Sequence, residues 1–185
     1  MAAESKKAAP HPSCAGLTRA SMKRFNLWKS FMDGRVKPGH DSIMESVWSL
    51  HPQLAKDTVP VGDLTLTRVL LTNDANFPWL ILVPRRPALV ELLDLDENAQ
   101  VQLLGEVAAA ARVLKSITEC DKLNIAALGN QVPQLHVHVI ARRHSDAAWP
   151  KPVWGVAPPA AYNPAIRDGL IGALRRGLQI RSVNV

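Results

Sequence analysis

Cysteine is scarce, with only Cys14 and Cys120 in 185 residues. The two show neither the spacing of a disulfide framework nor that of a metal site, which points to free thiols and a cytoplasmic location. No apolar run reaches the ~18–20 residues that a membrane span needs, so no membrane partner is expected. The first forty residues contain no apolar core of a secretory signal. Apart from five tryptophans, aromatics are few. Acidic residues are few at the start of the chain. Residues 1–40 carry eight Lys/Arg against Glu4 and Asp33, whereas residues 41–185 carry 14 basic and 14 acidic residues. The formal charge of +6 therefore belongs to the leader. A nucleic-acid-binding domain would carry its own basic face, and the remainder of this chain has no such excess.

The leader, residues 1–43, reads as basic and disordered over 1–20. A short amphipathic helix is expected over 21–33, with Met22, Phe25, Trp28 and Met32 loosely on one face. Translation starting at Met44 is an alternative account of it. Residues 44–185 form one domain, long enough for a proper core. Within it a short helix is expected over Leu50–Lys56, a turn over Val59–Asp63 and a strand over Leu64–Thr72. A connection through Asn73–Asn76 leads to a buried strand over Trp79–Pro84, which proline ends. The longest helix is expected over Asp94–Ile117, with Asp94 and Glu97 as a capping pair. Its core stripe reads Val101, Leu104, Val107, Ala108, Ala111, Leu114 and Ile117. A third strand follows over Lys122–Leu128. An irregular stretch spans Trp149–Gly155, and Asn163 caps a last helix with Pro164 at its first position. Ile166, Leu170, Ile171, Leu174 and Leu178 make that helix's buried stripe. The order strand, strand, helix, strand, strand, helix predicts an α+β domain, a largely antiparallel sheet with a helix on one face.

Chemistry concentrates in Gln134-Leu135-His136-Val137-His138-Val139-Ile140. The strict alternation predicts a strand with one buried face, Gln134, His136 and His138 standing in a row about 7 Å apart on the other. Two histidines alone also fit a solvated strand face or part of a metal site. Zinc normally takes three or four protein ligands, and no carboxylate or cysteine is adjacent. Arg142, Arg143 and His144 leave the strand together and read as a solvated strand end, with polyphosphate contact the alternative. Trp149 and Trp154 could stack on a base or pack over the sheet.

The run Gly129-Asn130-Gln131-Val132-Pro133-Gln134-Leu135-His136-Val137-His138-Val139-Ile140 resembles the signature of the histidine triad (HIT) superfamily, alternating His and apolar residues. The segment from Val69 through Asn73 to Pro87, Leu92 and the long helix is similar to the family's first half. The resemblance covers roughly residues 60–143. The whole 44–185 block looks like a bacterial subgroup often labelled diadenosine-tetraphosphate-hydrolase-like.

What the resemblance implies is a HIT-like fold of about five strands and nucleotide hydrolysis or nucleotidyl transfer at an α-phosphorus. His136 matches the nucleophile that forms a nucleotidyl-histidine intermediate. His138 matches the residue that binds phosphate and handles the leaving group, and Gln134 takes the first triad position. Asn73 matches the ribose contact, Asn124 an asparagine near the phosphates, and Gln131, beside Asn130, a phosphate or leaving-group donor. The scheme needs no metal or other cofactor. The partners implied are a nucleotide substrate and, as commonly in the family, a second copy of the chain. Two departures stand out. Gln134 replaces a histidine, and Leu80 stands where the family carries an extra one, in a Pro-Gly-His stretch that here reads Pro78-Trp79-Leu80. An impaired, nucleotide-binding protein is the alternative function.

Overall fold

The computed structural model of the chain describes residues 47–180. The expectations for residues 1–43, and Cys14 with them, lie outside the described residues. Five strands form one sheet: β1 (Thr58–Asp63), β2 (Thr67–Thr72), β3 (Trp79–Pro84), β4 (Lys122–Ala126) and β5 (Val137–Arg142). Their spatial order is β1-β2-β3-β5-β4, and every pairing is antiparallel. The helices are α1 (Pro52–Asp57), α2 (Glu97–Thr118) and α3 (Pro164–Gly177), with a 3-10 turn at Leu92–Asp94. This is the α+β arrangement that the order of elements predicts, with the five strands that the resemblance implies.

The alternation of each central strand sorts its residues between two faces. Val69, Leu71, Leu80, Leu82, Val137, Val139 and Ala141 face inward, where α2 and α3 cover them in the main core. Leu70, Ile81, Val83, His138, Ile140 and Arg142 point to the other face, as the registers Leu70↔Ile81, Ile81↔His138 and Trp79↔Ile140 require. Two smaller apolar clusters cover that second face. One brings Leu54, Trp48, Leu50 and Val132 onto Leu70 and Ile81; the other brings Phe77, Ala148 and Val153 onto Ile140.

Several boundaries differ from the sequence expectation. Residues 59–63 are an edge strand and not a turn. An edge strand tolerates Pro60, and a register shift between Pro60 and Gly62 makes a bulge against β2. Ile180 occupies the space that a Cβ at Gly62 would need. The cap of α2 is Asp96, which accepts from the Ala99 N–H, while Asp94 caps the preceding turn. The buried ridge of α2 is Ala99, Leu103, Val107, Ala110, Ala111 and Leu114; Val101 and Leu104 are 72% and 70% exposed. In α3, Ile171 and Leu174 are buried as expected, but Ile166 lies exposed. Glu106, buried in mid-α2, accepts from the Leu66 and Thr67 backbone N–H groups at 2.7 and 2.8 Å and pins the helix to the start of β2.

Candidate active site

Two imidazoles are buried together, His138 on the second face of β5 and His136 just ahead of that strand, where polar atoms are costly unless they are hydrogen-bonded. His136 and His138 retain only 7% and 6% of their exposure. Their ring centroids lie 4.8 Å apart, edge to face. His136 immediately precedes β5, which begins at Val137 and not at Gln134. Its Nδ1 lies 2.7 Å from the main-chain carbonyl oxygen of Gln134. A carbonyl can only accept, so in the neutral ring Nδ1 carries the proton and Nε2 keeps its lone pair. His138 Nδ1 receives the Trp79 indole N–H at 3.0 Å. Trp154, 38% exposed, brings its ring to 5.5 Å from His138 and 5.6 Å from Trp79. Burial, followed by the neighbouring His136, lowers the His138 pKa from 6.5 to about 4.

That shift makes folding pH-dependent. Between pH 6.5 and about 4 the unfolded chain takes a proton on His138 that the folded chain refuses. Stability therefore falls as pH drops through that window, and this group takes away nothing further below it. Urea unfolding at pH 7, 6 and 5 should show this decline, and His138→Gln should flatten it. An unchanged slope in the variant would remove His138 as the cause.

The other sequence candidates separate. Gln134 directs its amide to neither histidine. Its Oε1 accepts from the His51 backbone N–H at 2.9 Å and its Nε2 donates to the Ser49 carbonyl at 2.9 Å. It therefore joins the residues before α1 to the segment that holds His136. Asn130 and Gln131 are exposed just ahead of the histidines, after Gly129 in a left-handed conformation at φ 71°. Asn73, exposed just past the end of β2, bonds to Asp57 through its backbone and to the Lys56 carbonyl through Nδ2. Asn124 lies on the histidine face, but its Oδ1 accepts from Arg142 Nη1 at 2.6 Å. Leu80 belongs to the main core on the opposite face.

Of the three residues expected at a solvated strand end, Arg143 and His144 are exposed, but not Arg142. It is 1% exposed, paired with Asp146 through Nε at 2.7 Å and Nη2 at 3.0 Å, and it also donates to the Lys151 carbonyl at 2.9 Å. These bonds fold residues 146–151 back over β5. Sequence reasoning placed Trp79 in a buried strand without a role. The signal was its position, where the family pattern leads to a histidine.

A cleft of about 400 Å³ lies elsewhere, lined by Thr65, Arg85, Arg86, Asp96, Asn98 and Gln102. Its cations are engaged, Arg86 with Asp96, and Arg85 with Asp63 and the Leu64 and Thr65 carbonyls. It offers less chemistry than the histidine pair. Among the described residues no three His, Cys, Asp or Glu side chains gather around a point where a metal ion could sit. No described helix is long and apolar enough to cross a membrane.

The site is thus a pair of buried, oppositely partnered imidazoles on an antiparallel sheet of an α+β domain. The chain belongs to the HIT domain family, whose model matches residues 53–145. It is similar to a histidine triad protein of Bradyrhizobium japonicum, with 60% identity, 71% of this chain and 98% of that one covered, and a TM-score of 0.71. A histidine triad protein of Marinobacter aquaeolei shares 42% identity over 72% of this chain and 97% of that one, at a TM-score of 0.70. A third, from Sinorhizobium meliloti, shares 39% over 72% and 98%, also at 0.70. Among curated proteins the comparison finds no match.

Proposed function

We propose that this HIT protein hydrolyses or transfers nucleotides at an α-phosphorus through a nucleotidyl group carried on His136. One observation supports this reading above the others. The Gln134 carbonyl fixes the His136 proton on Nδ1 and leaves the Nε2 lone pair for attack. In the first step Nε2 forms a bond to phosphorus, the bond from phosphorus to the leaving oxygen breaks, and its electron pair departs with that oxygen. In the second step a water oxygen forms the new bond, the P–N bond breaks, and its electron pair returns to Nε2. The water proton passes to solvent.

His138 supplies a hydrogen bond to the phosphate or the departing oxygen, and Asn130 and Gln131, exposed ahead of the histidines, add donors. A well-placed donor to charge that grows in the transition state contributes about 3–4 kcal/mol. The substrate class is a dinucleoside polyphosphate or a nucleoside phosphoramidate, with Asn73 toward the ribose, and the working unit is a homodimer.

A second reading, a nucleotide-binding protein without turnover, is favoured by the engagement of the Gln134 amide with Ser49 and His51. That amide relays no proton. A panel of adenosine and guanosine dinucleoside polyphosphates and a phosphoramidate, assayed with EDTA present, separates the two. Release of a nucleoside monophosphate supports the first reading. Nucleotide binding with no product from any substrate supports the second.

A further inference from the structure

We propose that Trp79 is a positioning residue for this site: its indole N–H locks His138 in the Nε2–H tautomer, so that His138 meets substrate oxygen as a neutral donor. The proposal rests on the functional reading above and specifies how the second histidine works.

Indole is a donor only, so the 3.0 Å contact from Trp79 Nε1 leaves His138 Nδ1 as the acceptor and puts the imidazole proton on Nε2. The indole is itself held firmly. Trp79 opens β3, sits opposite Ile140 of β5, and reaches His138 diagonally across the ladder. Both small clusters on the second face pack against it, and the Trp154 ring meets it at 90°.

The groups facing His138 do little to favour a charged ring. From β3 these are Trp79 and Ile81; from β4, Ala126; from the loop after β5, Trp154. His136 is the titratable ring in contact with it. Arg142, further along β5, is committed to Asp146, Asn124 and the Lys151 carbonyl. A hydrogen bond donated to the neutral ring adds to burial in disfavouring the imidazolium.

The consequence is a preference among leaving groups. When a phosphoanhydride is cleaved, the P–O electron pair leaves on a phosphate oxygen that is stable as an anion, and no proton has to move. When a phosphoramidate is cleaved, the departing nitrogen keeps the P–N pair and must gain a proton. Neither Gln134 nor a neutral His138 is an acid for that transfer. Phosphoanhydrides are therefore the favoured class.

Histidine side-chain nitrogen NMR on the full chain tests the lock without requiring turnover, with His138 assigned by comparison with His138→Gln. The wild type should show a protonated Nε2 and an unprotonated Nδ1 at His138, persisting well below pH 6.5. Trp79→Phe keeps a ring for packing and should give mixed tautomers and a higher titration midpoint. A wild-type His138 protonated on Nδ1 overturns the proposal, and so does a Trp79→Phe protein with unchanged tautomer and midpoint.

Kinetics then test the consequence. Groups that orient a metal-bound imidazole contribute roughly 10–100-fold, and a kcat loss of that order with little change in KM is expected for Trp79→Phe. The wild type should cleave phosphoanhydrides faster than phosphoramidates, and Trp79→Phe should narrow the ratio. Equal or faster phosphoramidate cleavage by the wild type overturns the leaving-group preference. A chain with the locked tautomer and no turnover would count against the hydrolase reading alone.

Discussion

Replacing His136 by alanine is expected to lower nucleotide hydrolysis by at least about 10⁴-fold, because nothing else at the site takes over from a lost nucleophile. The protein should remain folded. The His136 side-chain hydrogen bond is local, to the Gln134 carbonyl two residues away, although the ring is buried edge-on against His138. Losing that bond costs about 1 kcal/mol and the emptied ring site adds to it, a shift of several degrees in Tm. Product formation and thermal melting on the same preparation separate the two effects. Activity within tenfold of wild type in a folded His136→Ala protein would remove His136 as the nucleophile. A large fall in Tm would show that the ring is structural.

The largest effect on stability is expected at Arg142. Its guanidinium is buried with Asp146, whose side chain is 8% exposed, and it bonds Asn124 and the Lys151 carbonyl as well. Arg142→Met leaves the Asp146 charge buried without its partner, at a cost of about 3–5 kcal/mol. For a chain of this size that lowers Tm by roughly 6–20 °C. The double variant Arg142→Met/Asp146→Leu should recover much of the loss, because it removes both charges.

The hydrogen bond from Arg142 is the main cause that holds the Asp146 carboxyl below its ordinary value of 3.8. The pair's contribution is thus fully present above that value and is lost as pH falls through the lower, folded-state value. Thermal melts of the single and double variants at neutral pH check the account. A single variant within about 1 kcal/mol of wild type would mean that water compensates Asp146.

Much of this was legible in the sequence because local pattern and tertiary packing agree. The apolar run at Trp79–Pro84, the cap at Asn163 and the alternation around His138 each specify one structure. The misreadings arise where distant partners decide. Pro60 and Gly62 look like a turn until β2 pairs with them. On α2, apolar residues occupy two neighbouring ridges. The sheet takes the one carrying Ala99, Leu103, Ala110 and Leu114 and leaves Val101 and Leu104 outside.

At the site, period-two spacing correctly placed His136 and His138 on one face. It could not show that Gln134 and Asn124 are tied up by Ser49, His51 and Arg142, contacts that join segments up to 85 residues apart. Nor does spacing show an indole on β3 reaching an imidazole on β5.

In the proposed reaction the nucleotide becomes bonded to His136 Nε2. Rapid mixing of the full chain with a dinucleoside polyphosphate, quenching at alkaline pH and intact-protein mass spectrometry tests it most directly. A transient adduct of one nucleoside monophosphate is expected, localised by peptide mapping to His136 and absent from His136→Ala. Turnover at the same rate with no adduct on any time scale faster than product release, or an adduct mapped to another residue, would contradict it.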